Sequence, residues 1–173
     1  NIQDANAALN IVREFDEPFA VGLKHMNPCG AGLGADVVEA WKKVYEGDKT
    51  SIFGGIVAFN REVNLEVAQL LKPIFLEIVM APSFAPDALE LLRAKKNLRV
   101  LKVNMEGSVK EQMQCVSVNG GLLVQNQDLT IVPVTASQTV TEAVPTEGQI
   151  VDLNFTWRIV KHDKSNAITV GKA

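Results

Sequence analysis

The stretch SIFGGIVAFNREVNLEVAQLLKPIFLEIVMAPSFAPDALELLRAKKNLRVLKV, residues 51–103, decides the fold class. Its apolar segments 51–59, interrupted by a Gly pair, 74–80 and 98–103 read as strands. Between them, a helix is predicted over 64–71 and another over 86–95, the second opened by Pro86, whose fixed φ suits a first helical turn. Strand, helix, strand, helix, strand at this spacing predicts an α/β layered domain with a mixed, largely parallel sheet.

The same logic extends upstream. Asp4 is expected to cap a helix carrying Ala8, Leu9, Ile11, Val12 and Phe15 on one side, which Glu17-Pro18 ends. Residues 19–24 read as a buried strand and 25–32, rich in Gly and Pro, as a turn. Asp36 then caps a helix with a buried stripe of Val37, Val38, Ala40, Trp41, Val44 and Tyr45. Downstream, 114–118 and 121–125 flank Asn119-Gly120, a hairpin-turn dipeptide. The Thr- and Val-rich stretch 129–144 reads as an extended connector. Pro145 opens a helix to about residue 161, and 167–173 reads as a last strand. Neither end looks complete: Asn1 is no initiator Met, and the last strand has no partner. The chain therefore reads as an internal piece of a longer polypeptide.

Composition narrows the class. The 173 residues are 47% hydrophobic and 21% charged, ordinary for a globular chain and too apolar for disorder. A net charge of −3 does not mark a general binder of nucleic acid or of membrane surfaces. Cys29 and Cys115 are too few for a disulfide scaffold or a four-cysteine zinc site. No apolar run reaches the roughly 20 residues of a membrane span. A soluble, cytoplasmic protein is expected.

Chemistry is concentrated in Lys24-His25-Met26-Asn27-Pro28-Cys29-Gly30. Ligands of open α/β sheets bind where strands end, and a Lys and a His there can act on an amine or a carbonyl. The glycines that follow would let backbone approach a ligand. The competing reading is a solvated Lys and a His bonded to its own turn. Zinc deaminases need a Glu after the first ligand and a Pro-Cys-x-x-Cys. Here the Glu and the second Cys are both missing, so no zinc is expected. Cys29 reads as a buried structural thiol rather than a nucleophile paired with His25, and Cys115 as core. A second cluster, 161–166, ends in Asn166, whose amide could donate to a developing oxyanion. It reads equally as a basic helix end favoured by the dipole. Phe53-Gly54-Gly55 points to close approach of a ligand or of backbone. Glu77, alone among apolar neighbours, needs a partner, for which a ligand hydroxyl is one candidate.

In combination and in order, these segments resemble one family. It comprises the bifunctional purine biosynthesis enzymes that join an aminoimidazole carboxamide ribonucleotide (AICAR) transformylase to an IMP cyclohydrolase. The resemblance rests on Ile2-Gln-Asp-Ala-Asn-Ala-Ala-Leu9, the Lys24–Gly30 motif, Ser51-x-Phe53-Gly54-Gly55-Ile56, Glu77-Ile-Val-Met-Ala-Pro82, Gly120-Gly-Leu-Leu-Val-Gln125 and Lys164-Ser-Asn-Ala167. It covers nearly the whole chain. It implies a cytidine-deaminase-like three-layer α/β unit over 1–128, with 129–173 starting a following subdomain. The implied reaction is formyl transfer from the co-substrate 10-formyltetrahydrofolate to AICAR. His25 matches the family's base, Lys24 its adjacent cation and Asn166 its amide. Asn27, Phe53, Gly54 and Glu77 match positions at the substrate site. The resemblance further implies a homodimeric parent enzyme, leaves a monovalent cation open, and places the cyclohydrolase outside this chain. Little turnover is expected of the chain alone. A non-catalytic nucleotide-binding or dimerisation module is the alternative.

Overall fold

Residues 51–103 fold as their apolar runs require, in a computed structural model that describes residues 1–106 and 113–172. The chain runs α1 (Ile2–Val12), β1 (Phe19–Lys24), β2 (Asn27–Leu33), α2 (Val37–Gly47), β3 (Gly55–Phe59), α3 (Leu65–Leu71), β4 (Leu76–Ala81), α4 (Pro86–Arg93) and β5 (Arg99–Lys102). It continues with β6 (Met113–Val118), β7 (Gly121–Asn126) and α5 (Glu147–Val160). The main sheet is ordered β2-β1-β3-β4-β5. Strands β3, β4 and β5 are parallel, whereas β1 runs antiparallel to both β2 and β3. The sheet is thus mixed, with its parallel part in the stretch that decided the class.

Period-two alternation splits the core into two layers. Ala20, Val57, Phe59, Val79 and Ala81 face α2, α3 and α4, where Trp41, Val44, Val67, Leu71 and Leu92 bury against them. Phe19, Val21, Leu23, Ile56, Ala58, Ile78 and Met80 face the other way, toward Ala8, Ile11 and Val12 of α1 and Ile159 of α5. Two helical layers around one sheet give three layers, and burial on both faces explains the apolar runs of β3 and β4, whereas β5 at the sheet edge is mostly exposed.

The local differences have physical causes. The segment expected as a turn, 25–32, contains β2. Its glycines serve the helix rather than a ligand: a Cβ on Gly30 would lie 2.3 Å from the Val44 carbonyl oxygen, and one on Gly32 2.5 Å from that of Ala40. Bare backbone is what lets α2 lie flush on this edge strand. Pro28 is tolerated there beside a bulge at Gly22/Leu23. Helix α1 starts at Ile2 with Asn1 as its N-cap, so Asp4 falls inside the first turn instead of capping it. Strand β3 starts only at Gly55, because 49–54 form turns in which Asp48 accepts from the backbone of Thr50 and Ser51. The expected last strand is coil over 167–172. Within 129–144 the connector is coil apart from a short 3₁₀ turn at Ala136–Gln138. Cys115 is exposed, because β6 and β7 form a two-stranded hairpin of their own whose residues are exposed throughout.

Helix α5 opens with a capping box, Thr146 and Gln149. It docks through its C-terminal half. Phe155 closes on Phe15 and Phe19 with ring centroids 5.7 and 6.4 Å away, and Arg158 donates to the Glu14 carbonyl oxygen. Lys161 Nζ and His162 Nε2 both lie 2.7 Å from Glu14 Oε1. Burial by itself would raise the Glu14 pKa. Hydrogen bonds from His162 and Lys161, with their charges, outweigh it and hold the carboxyl below its usual value. This tie is complete above the ordinary carboxylate range and is lost as pH falls through the lowered pKa.

Candidate active site at the amino ends of the parallel strands

Register fixes where the candidate residues meet. Leu23 pairs with Ile56, Gly55 with Leu76, and Ile78 with Arg99. Since β1 is antiparallel to β3, the carboxyl end of β1 and the amino ends of β3, β4 and β5 share one side of the sheet. The candidate residues therefore lie at a carboxyl end for β1 and at amino ends for β3, β4 and β5. Lys24, His25, Phe53, Gly54 and Glu77 all belong to this side.

Lys24 Nζ donates to the Phe53 carbonyl oxygen at 2.9 Å, tying β1 to the turn before β3. Gly54 sits at φ 71° and donates its N–H to the Phe75 carbonyl oxygen at 2.8 Å. Phe53, largely exposed, tilts over Phe75 with centroids 5.3 Å apart. A Cβ on Gly55 would meet the carbonyl oxygens of Leu23 and Ile52 at 2.7 and 2.9 Å, so this glycine answers to backbone. Glu77 finds its partner in the protein: Arg99 Nη1 lies 2.8 Å from its Oε2, and the Asn1 side-chain amide 3.2 Å away. Arg99, 22 residues downstream, carried no signal in the sequence.

His25 is exposed at the tip of the β1–β2 hairpin. His25 and Met26 have φ of 55° and 69°, the left-handed pair that a two-residue type I′ turn needs and that Asn-Gly usually supplies. For residues bearing a Cβ this costs roughly 1–2 kcal/mol each. Three contacts oppose that cost. Asp4 Oδ1 accepts from Met26 N–H at 2.9 Å, Lys164 Nζ donates to the His25 carbonyl oxygen at 3.2 Å, and Lys164 N–H donates to Asn27 Oδ1 at 3.2 Å. Asn166, also exposed, follows Lys164 by two residues, so the two clusters, 24–30 and 161–166, converge. A cleft of about 430 Å³ opens beside the turn, between Asn6 and Asn10 of α1, Met26, Gln114 and Lys164.

Cys29 is half-buried on β2. Burial first, and then the nearby Asp48 charge, push its thiol up to about 11. At pH 7.5 its thiolate is scarce, which argues against a nucleophile. Alkylation at that pH should modify the exposed Cys115 first and Cys29 roughly a hundredfold more slowly, with Cys29 accelerating toward pH 11. Peptide mapping after timed alkylation checks this, and selective modification of Cys29 at neutral pH would reverse the assignment. Among the described residues, no three of His, Cys, Asp and Glu gather to hold a metal ion, and no helix is long and apolar enough to cross a membrane.

The AICARFT/IMPCHase bienzyme family model matches residues 1–173. The chain belongs to the AICARFT/IMPCHase bienzyme family. Among family members, the bifunctional purine biosynthesis protein PurH of Anoxybacillus flavithermus is 56% identical over 172 residues, 99% of this chain and 34% of that protein. PurH of Listeria monocytogenes is 54% identical over 171 residues, 99% and 33%. The chain spans about a third of the length of the curated AICARFT/IMPCHase relatives it matches. Among solved structures, Acinetobacter baumannii RibD is similar at TM-score 0.45 with 13% identity, over 57% of this chain and 35% of that one. A dCMP deaminase from the cyanophage S-TIM5 is similar at TM-score 0.44 with 8% identity, over 58% and 97%.

Proposed function

We propose that this chain carries the base-bearing part of an AICAR transformylase, a cytoplasmic enzyme of purine biosynthesis that moves a formyl group from 10-formyltetrahydrofolate to the 5-amino group of AICAR. The observation that carries the reading is the convergence of Lys24, His25 and Asn27 with the 164–166 segment at one end of the sheet, in a chain that matches the bienzyme family throughout. The amine is a weak nucleophile, its lone pair spread into the imidazole and carboxamide. As its nitrogen bonds to the formyl carbon, His25 takes the amine proton. The developing oxyanion needs a donor, a role that suits the Asn166 amide. Collapse breaks the bond from the formyl carbon to the folate nitrogen. That nitrogen leaves with the proton His25 holds, giving formyl-AICAR and tetrahydrofolate. Lys24, anchored on the Phe53 carbonyl oxygen, is the cation that matches the family's lysine next to the base. Asn27, Phe53, Gly54 and Glu77 lie on the same side of the sheet, where the ribonucleotide would rest.

The test uses the chain alone and a chimera in which it replaces the matching 172 residues of the A. flavithermus protein. The chain alone is expected to show little or no formyl transfer, because it spans a third of its relatives' length. The chimera should transfer formyl groups and lose roughly a hundredfold or more of kcat on Lys24→Ala. A chimera whose activity ignores Lys24→Ala would sink the reading and leave a nucleotide-binding module, detectable by calorimetry with AICAR.

A further inference from the structure

The His25–Met26 peptide is gripped at both ends. Its carbonyl oxygen accepts from the Lys164 ammonium, and its N–H donates to the Asp4 carboxylate. In a two-residue hairpin these are the groups that point out of the turn and are left to water, since the ladder bonds lie between the strands. Here an acid from α1 and a base from the 161–166 segment take one each, from opposite sides. Asn27 adds a third tie to the same Lys164 through its backbone N–H. The peptide needs such a grip. Neither His25 nor Met26 is a Gly or an Asn, yet both hold positive φ, and a rotation of this one peptide would re-aim the imidazole. Asp4 stands three-quarters buried in the first turn of α1, its second oxygen 3.6 Å from the Asn1 amino group. As an acid in the first turn it also suits the helix dipole with that second oxygen, which leaves Oδ1 for Met26.

We propose that Asp4 and Lys164 are positioning residues for His25, clamping the His25–Met26 peptide by its N–H and its carbonyl so that the imidazole is presented in one orientation. This rests on His25 being the base of the proposed transfer, and the experiment separates the two claims.

The structural arm is NMR on the 173-residue chain. The wild type should give strong intraresidue amide-to-Hα cross-peaks at His25 and Met26, the signature of positive φ. Asp4→Ala and Lys164→Met should weaken both, whereas Asp4→Asn, which keeps an acceptor oxygen at the same place, should retain them. The kinetic arm is the chimera. Asp4→Ala should lower kcat about tenfold with the AICAR KM within about twofold, and Asp4→Asn should restore most of it. In a His25→Ala background Asp4→Ala should cost nothing further, because a positioning residue acts only through what it positions. Persistence of both cross-peaks in Asp4→Ala and Lys164→Met would overturn the clamp, as would an undiminished effect of Asp4→Ala without His25. Should Asp4→Ala fail to fold, Lys164→Met and Asp4→Asn decide the matter alone. If instead His25→Ala leaves formyl transfer intact, the assignment of the base falls, while the cross-peaks still judge the clamp.

Discussion

His25→Ala in the chimera is expected to lower kcat for formyl transfer by roughly 10²–10⁴-fold, the range over which a positioned general base contributes. The AICAR KM should move little, because a base on the amine acts in the transition state rather than in binding. Stability should barely change, since the imidazole is exposed at a hairpin tip and substitutions at such places usually stay within about 0.5 kcal/mol. His25→Gly sharpens the test. Glycine relieves the positive φ at this position, so the variant should be no less stable than wild type and yet equally inactive. Lys24→Ala should behave differently. It also cuts the bond to the Phe53 carbonyl oxygen, so the turn before β3 loosens and KM should rise along with the fall in kcat. Initial-rate kinetics with calorimetric melting resolves these cases. A His25→Ala chimera within threefold of wild-type kcat would remove the imidazole from the chemistry.

The second large effect is on folding. Gly30→Val should cost about 3 kcal/mol, the upper part of the range for overpacking, and lower the unfolding midpoint by about 6–12 °C. The atom in the way is the Val44 carbonyl oxygen, 2.3 Å from the new Cβ. It belongs to helix backbone and cannot swing aside as a side chain would. Either α2 lifts from the sheet, uncovering Trp41 and Val44, or β2 separates from β1. Gly148→Ala is the control: it sits in the first turn of α5 with nothing within 4 Å of the added Cβ, and it should be neutral or stabilising by up to about 1 kcal/mol. Equal midpoints for Gly30→Val and wild type would mean that α2 does not rest on β2 as described.

These two expectations draw on features of unequal legibility. The parallel strands β3 and β4 were plain in the sequence because helices cover both faces, leaving largely apolar runs, while the mostly exposed β5 showed through its place after a helix. Strand β2 was hidden by the glycines that let α2 approach it, for a strand chosen for thinness has neither β-branched residues nor alternation. Lys24, His25 and Asn166 stood out as a motif, through their order along the chain. Their meeting point did not, because the antiparallel turn of β1 puts the site at the amino ends of its parallel neighbours. Arg99 left no trace, and Asp4 and Lys164 were visible without their partners. A single charged residue has no period, and its partner lies 22 to 139 residues away in the chain or on a backbone atom. Asp4 also imitated a helix cap, one residue type serving two structural purposes.

Helix α5 is held to the sheet layer by its last turns, through Phe155, Ile159 and the Glu14 tie. Lys164 and Asn166 come next along the chain. The site is therefore assembled only in molecules whose α5 end is seated, and any ligand that touches both clusters must first find that population. Its apparent affinity is the intrinsic one divided by the seated fraction. Acidification that protonates Glu14, which bonds His162 across 148 residues of sequence, would thus read out as weaker binding at a site that the carboxylate does not line.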